Sequence, residues 1–164
     1  MITPNRAPTP AESGERTQAL KLWVVLSRAH DAIAEHARAD VSRHGLTLAE
    51  FGILEALFHR GPMLLGEVQR RILVSSGGIT YLVNRLEERG LVERRECEED
   101  RRARYAALTK EGEALVRRVF PEHAECLEHA LAGLDADEKD EAIRLLRTLG
   151  RYASEARRCD QVGE

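Results

Sequence analysis

Residues 75–90 decide the fold, and they read SSGGITYLVNRLEERG. The apolar residues of this stretch recur at i, i+3, i+4 and i+7, which is the spacing of one helical face: Ile79, Leu82, Val83 and Leu86. Ser75 or Ser76 can cap the start of such a helix, and Gly90 can end it. The stretch therefore predicts a short amphipathic helix with a defined beginning and end.

The opposite face of this helix is polar and rich in hydrogen-bonding groups. It offers Ser76, Thr80, Tyr81, Asn84 and Arg85. Gly77 and Gly78 each cost up to ~1 kcal/mol relative to alanine inside a helix. They either let a helix end approach another surface closely, or they belong to the turn before the helix.

The residues before this stretch predict three helices. Residues 1–15 are expected to form a disordered tail, and apolar spacing predicts a first helix at about 16–43. Thr47 and Glu50 form a capping box for a second helix, which Gly61-Pro62 ends. A short third helix follows at about 65–73.

The residues after the stretch predict a hairpin and two more helices. Two short strands at 91–95 and 103–108 flank a charged tip at 96–102. A long helix at about 110–131 contains Pro121, which is expected to kink it. The last helix begins at Asp135, with Glu138 completing a second capping box. Its apolar residues are expected to face inward: Ala142, Ile143, Leu146, Leu149 and Ala153.

Composition limits the classes of protein that remain. The chain has 164 residues, 43% of them apolar and 4% aromatic, which favours one largely helical domain. It contains no phosphate-cradling glycine loop, no H-E-x-x-H and no nucleophile motif, so we expect no enzyme, cofactor or metal site. Three separated cysteines argue against a disulfide framework. No apolar run spans a bilayer and no signal peptide is recognisable, so a cytoplasmic location is expected.

Charge is distributed unevenly along the chain. The formal net charge is −3, but the middle third has a basic excess and the last third an acidic one. Two helices joined by a tight turn, followed by an arginine-bearing hairpin, are typical of a helix-turn-helix with a wing. Such a helix fits the major groove of DNA, and such a hairpin reaches the minor groove.

The stretch from Leu65 to Gly90, with residues 100–112 reading DRRARYAALTKEG, resembles the MarR family of winged-helix regulators. The D-R-R followed by L-T-x-x-G is similar to that family's wing signature. The resemblance implies a mainly α fold, with a winged helix at about 47–109 and dimerisation helices at about 16–44 and 110–158. These form one domain at 16–158, followed by a flexible C-terminus at 159–164. It also implies a homodimer on a pseudo-palindromic operator.

The resemblance also implies which residues contact DNA. The expected set is Ser75, Ser76, Gly77, Thr80, Tyr81, Asn84, Arg85, Arg101, Arg102 and Arg104. Asp100 and Arg102 match the family's wing salt bridge, while the arginines could instead form a solvated face. The wing tip departs from the expected charge, because Glu96, Glu98 and Glu99 would repel phosphates unless arginines pair with them.

Within the family, the chain looks closest to the quinone- and catechol-responsive branch (MhqR-like). This likeness lies in residues 26–29 (LSRA), 72–77 (ILVSSG) and 120–124 (FPEHA). It implies a repressor released by a small phenolic or aromatic ligand. The candidate lining residues are Trp23, His30, His36, Phe51, His59 and His123.

Two alternatives stay open. Cys126 lies three residues from both His123 and His129, so a thiol-based redox sensor of the same fold is one alternative. Cys97 lies among acidic residues, which disfavours a thiolate. The other alternative is a helical dimerisation adaptor that does not bind DNA.

Overall fold

A computed structural model describes residues 10–72, 78–96 and 104–161, with the side chains of 10–13, 96, 104 and 157–161 left aside. In chain order, the elements of these segments are α1 (Pro10–Ser42), α2 (Leu48–Arg60), β1 (Met63–Leu64), α3 (Leu65–Arg71), α4 (Ile79–Glu88), β2 (Val92–Glu96), β3 (Arg104–Leu108), α5 (Lys110–Ala130) and α6 (Ala136–Gln161). The predicted class, a mainly α winged helix with a small β wing, is confirmed.

The first helix is longer than its apolar pattern predicts. It begins at Pro10, inside the stretch for which a disordered tail was expected, while residues 1–9 lie outside the described part. Proline is tolerated in the first helical turn, because its missing N–H has no intrahelical partner there. Gly45, with φ +69°, lies in the turn after the helix.

The capping box of α2 is confirmed. The Glu50 amide donates to Thr47 Oγ1 at 3.2 Å, and the Thr47 amide donates to Glu50 Oε2 at 2.8 Å. Gly61 ends the helix at φ +78°, a conformation that residues with a Cβ rarely adopt. Both ends of α2 were therefore predictable from local residues.

The start of α4 differs from the prediction. Gly78 occupies the N-cap position of α4, and this residue has no side chain that could cap the helix. The N-cap is therefore Gly78 and not Ser75 or Ser76, two residues that lie outside the described part of the chain. Gly78 belongs to the turn before the helix. Gly77 lies outside the described residues. The predicted apolar stripe is confirmed, because Ile79, Val83 and Leu86 are buried.

The three described strands form an antiparallel sheet in the order β1-β3-β2. Val92 pairs with Leu108, and Glu96 pairs with Arg104. The sequence did not predict β1, whose Met63 pairs with Ala106. A strand of two residues carries no periodicity, and only its distant partner defines it.

The chain divides into two compact units, residues 1–127 and 128–164. In the first unit one core joins α2, α4, the sheet and α5. Its largest fully buried apolar side chains are Phe51, Ile53, Leu54, Leu86, Val41, Val68, Val83, Val92, Val116 and Val119. The core positions α4 with its apolar face inward and its polar face outward.

Helix α5 runs through Pro121 as one helix, and α6 begins after the predicted capping box of Asp135 and Glu138. The prediction that α6 turns its apolar residues inward is wrong for the single chain. Ile143, Leu146 and Leu149 are each 40–49% exposed. No helix in the described segments has the length and apolar character needed to cross a membrane.

Candidate functional site

The outer face of α4 is the first candidate site. Thr80, Tyr81 and Asn84 are exposed on it, and Tyr81 is 64% exposed. The Arg85 guanidinium carbon lies 5.9 Å from the centre of the Tyr81 ring. An exposed row of hydroxyl, amide and guanidinium groups on a short helix is suited to base edges and phosphates.

A buried carboxylate on α2 holds α4 in place. Glu50 is fully buried at the start of α2, and its Oε1 lies 3.4 Å from Arg85 Nη2 and 3.8 Å from Arg89 Nη1. Its other oxygen, Oε2, accepts from both the Thr47 amide and the Thr47 hydroxyl. Arg85, expected from the sequence to face DNA, is therefore also part of an ion pair that orients α4. Sequence reasoning assigned Glu50 only its capping role.

A second arginine ties α4 to the hairpin. Arg94 on β2 donates to Glu87 Oε2 at 2.9 Å and also donates to the side-chain oxygen of Asn84. Both acceptors are on α4, so α4 and the wing strand are joined by one guanidinium. The sequence predicted that arginines pair with the acidic residues of the wing tip, whereas Arg94 pairs with Glu87 on α4.

The base of the wing rests on Thr109 and Gly112, two residues of the L-T-x-x-G motif. Thr109 Oγ1 donates to the Gly90 carbonyl at 2.7 Å and accepts from the Gly112 amide at 3.0 Å. A Cβ on Gly112 would lie 2.0 Å from the Leu91 carbonyl oxygen. The motif thus lets the start of α5 lie directly against the chain leaving α4.

Five predicted DNA contacts lie outside the described residues: Ser75, Ser76, Gly77, Arg101 and Arg102. The same holds for Asp100, which was predicted to form the wing salt bridge with Arg102. Glu98 and Glu99 of the acidic tip lie there as well. Arg104 is the first residue of β3, and its side chain lies outside the described part of the structure. The assignment of Arg104 and of these five residues to DNA stays a prediction.

The second candidate site is a cavity of about 1070 Å³ in the first compact unit. Its walls are mainly apolar and come from α1, α2, α3 and α5. Three arginines also line it, Arg38, Arg60 and Arg71, with Glu55 as an acidic lining residue. Ligand cavities are commonly of this size, with apolar walls and a few polar groups.

Four of the six predicted ligand residues line this cavity: His30, Phe51, His59 and His123. Trp23 is 67% exposed on α1, and His36 is also exposed; neither is among the lining residues. The arginines of the lining were not singled out from the sequence. Each comes from a different helix segment, and no local pattern brings them together.

A buried hydrogen bond between Asp40 and His123 supports the cavity wall. Asp40 on α1 and His123 on α5 are 2% and 5% exposed, and Asp40 Oδ2 lies 2.9 Å from His123 Nδ1. Asp40 Oδ1 accepts from Arg43. Burial raises the pKa of Asp40, but the hydrogen bonds from Arg43 and His123 outweigh it, so the pKa lies below its usual value. Asp40 is therefore a carboxylate at neutral pH.

Cys126 is half-buried on α5, and its Sγ donates to the His36 carbonyl at 3.7 Å. This bond joins α5 to the backbone of α1, and the redox role predicted for Cys126 stays a prediction. Cys97 lies outside the described residues.

Comparison with known proteins gives a consistent result. A MarR-family profile matches residues 44–103. The chain is 36% identical to the HTH-type transcriptional regulator MhqR of Bacillus subtilis (strain 168), over 84% of this chain and 95% of that protein. It is 30% identical to the homoprotocatechuate degradative operon repressor of Escherichia coli, over 76% of this chain and 84% of the repressor.

The fold is also similar to that of Sco3205, a MarR family transcriptional regulator from Streptomyces coelicolor whose crystal structure is a complex with DNA. The TM-score is 0.73 at 23% identity, and the match covers 91% of each chain. The winged helix, its wing-base motif and the identity to MhqR over most of both chains lead to one assignment. The chain belongs to the MarR family and is a transcriptional regulator.

Proposed function

We propose that two copies of this chain repress transcription by binding a pseudo-palindromic operator, and that a small phenolic or aromatic acid in the cavity releases them. The observation that carries the proposal is the exposed polar face of α4, held outward by the Glu50–Arg85 ion pair. In this arrangement Thr80, Tyr81 and Asn84 read base edges and phosphates.

Dimerisation is supported by apolar side chains that the single chain leaves exposed. On α1 these are Leu20, Leu22, Trp23, Val24 and Val25, and on α6 they are Ile143, Leu145, Leu146, Leu149 and Tyr152. Apolar rows of this kind on a soluble protein mark interaction surfaces. A second copy would cover them, and two α4 helices would then read half-sites about one DNA turn, ~34 Å, apart.

The effector class is supported by the lining of the cavity. Phe51 offers an aromatic wall, and Arg38, Arg60 and Arg71 offer cationic groups that suit a carboxylate or phenolate. The Escherichia coli relative is named for the degradation of homoprotocatechuate, an aromatic acid. We extend that chemistry to this chain as part of the proposal.

The test is fluorescence anisotropy with DNA from upstream of the protein's own gene. A scrambled duplex of equal length serves as the control, at two salt concentrations. A strong preference for the native duplex, lost on addition of a phenolic acid, supports the proposal. Equal and salt-sensitive binding to both duplexes contradicts sequence-specific recognition of that DNA, and no binding at low salt favours the adaptor alternative.

A redox mechanism predicts a different result in the same assay. Hydrogen peroxide would then release the native duplex, and Cys126→Ser would abolish that release. Under the ligand proposal, Cys126→Ser leaves both DNA binding and release by the phenolic acid unchanged.

A further inference from the structure

We propose that His123, positioned by Asp40, is the group in the cavity that selects ligands with a free hydroxyl on an aromatic ring. Its Nε2 would accept a hydrogen bond from a phenol or catechol hydroxyl. The inference rests on the proposed function, because it takes the cavity as the effector site. It adds that Nε2 of His123 contacts the ligand hydroxyl, and that Asp40 determines whether Nε2 accepts or donates a hydrogen bond.

The Asp40 carboxylate determines which nitrogen of His123 carries the proton. An ionised carboxylate only accepts hydrogen bonds, so the 2.9 Å contact requires an N–H on Nδ1. In the neutral ring Nε2 then has a lone pair and no proton. Among the described residues, no hydrogen bond to Nε2 occupies that lone pair, and His123 lines the cavity.

The surroundings of the ring make this acceptor selective. His123 packs edge-to-face on Phe51 at 4.7 Å between ring centroids, and its side chain is only 7% exposed. Ile33, Ala34 and Ala37 line the same cavity without offering polar side chains. A ligand that donates to this buried acceptor binds more tightly than one that cannot, because without a donor the lone pair stays unpaired and desolvated.

Arg43 makes the role of Asp40 testable by a single substitution. Arg43 can only donate, and it donates to Asp40 Oδ1. In Asp40→Asn the amide oxygen would therefore turn to Arg43, and the NH₂ group would face His123 Nδ1. That geometry places the ring proton on Nε2 and turns the cavity-facing atom from an acceptor into a donor.

The probes are 2-naphthol and its methyl ether, 2-methoxynaphthalene, which differ in one donor proton. Binding is measured by calorimetry on the full chain without DNA, at a mildly alkaline pH at which free 2-naphthol is still protonated and an ordinary histidine is neutral. Without an acceptor in the cavity, the ether should bind at least as well, since it leaves water more readily. With His123 as acceptor, we expect the phenol to bind at least about tenfold more tightly, the factor for one net hydrogen bond. Its near-ultraviolet band should also move to longer wavelength when bound.

The matched control is a second histidine–aspartate pair at the cavity. His30 Nδ1 lies 3.2 Å from Asp31 Oδ1, but these side chains are 69% and 77% exposed. Asp31→Asn should leave the phenol-to-ether ratio and the spectral shift unchanged. Asp40→Asn should bring the ratio close to one and abolish the shift, with circular dichroism confirming the fold.

The outcomes separate this inference from the proposed function. If wild type binds both compounds equally and both release DNA, the role of His123 is overturned and ligand release stands. If wild type prefers the phenol but the phenol does not release DNA, the role of His123 stands and effector release fails. If neither compound binds, the inference is overturned. The phenol-to-ether affinity ratio of the wild-type protein tests the role of His123 even if Asp40→Asn does not fold.

Discussion

Arg85 Nη2 lies 3.4 Å from Glu50 Oε1, and the two side chains are 41% and 1% exposed. The guanidinium of Arg85, which is predicted to contact DNA, is thus held by a carboxylate that also caps another helix. Because Glu50 Oε2 accepts from Thr47, one side chain fixes both the first turn of α2 and the orientation of α4. Local capping and the positioning of the recognition helix are therefore coupled.

We expect Glu50→Gln to destabilise the protein by about 1–3 kcal/mol, because a buried carboxylate that faces two guanidinium groups becomes a neutral amide. Glutamine keeps an oxygen for Thr47 but removes the charge that Arg85 and Arg89 face. DNA affinity should fall as well, because α4 is less firmly oriented. Urea unfolding and anisotropy measure the two effects.

The control for this substitution is Glu55→Gln on the same helix. Glu55 is half-buried at the cavity, and no ion pair is described for it. Glu55→Gln should change the free energy of unfolding by no more than about 0.5 kcal/mol. Equal effects of the two substitutions would show that the ion pairs of Glu50 do not orient α4.

Gly112→Ala should be strongly destabilising. Its Cβ would lie 2.0 Å from the Leu91 carbonyl oxygen, which is held in place by the Thr109 amide at 3.2 Å. Relieving such an overlap costs about 1–3 kcal/mol or more. Gly66→Ala is the control, because nothing lies within 4 Å of its Cβ, and it should be neutral or stabilising. Comparable thermal midpoints for the two variants would contradict the close approach.

The stability of the protein should fall in acid partly through Asp40. Its folded pKa lies below the unfolded value of about 3.9. The stabilising contribution is therefore complete above pH ~3.9 and disappears as the pH falls through the lower folded value. The pKa of Glu141 is also lowered, by Arg144, but that pair lies in solvent and should contribute little.

Asp40→Asn provides the measurement for this prediction. Wild type should be more stable than the variant at pH 7, and the gap should narrow below pH ~4. Denaturant midpoints at several pH values give the comparison. A gap that is constant from pH 7 to pH 3 would mean that Asp40 is not the titrating group.

Arg102→Ala should weaken operator binding. Arg102 lies outside the described residues, and its wing role is carried by the resemblance of DRR at 100–102. Loss of one phosphate contact should reduce the slope of log K against log salt by about 0.9. Arg117→Ala is the control, since Arg117 is exposed and ion-paired with Glu113 on α5. An unchanged slope for Arg102→Ala would remove Arg102 from the interface.

Local signals made most of the fold predictable. The capping boxes at Thr47 and Asp135 lie within four residues of sequence, and each depends on its own helix turn. The stripe of α4 was predictable because its period matches the helix. The start of α4 was not, because two serines before two glycines suggest a cap that Gly78 replaces.

The candidate sites depend on residues that are distant in sequence, which limits prediction. The sequence singles out His123, but its partner Asp40 is 83 positions away on another helix. Ile143 and Leu149 have the spacing of core residues, yet they are exposed in the single chain. Helical periodicity identifies an apolar face without specifying whether the same chain or a second one covers it.

The bond from Arg94 to Asn84 has a consequence for how DNA preference can evolve in this protein. Asn84 is an exposed position of α4, and in the proposed function it reads a base, so a substitution there would change which base is read. The same substitution also removes one of the two α4 acceptors that hold Arg94 on the wing strand. New operator specificities are therefore more accessible through paired changes at 84 and 94 than through either one alone.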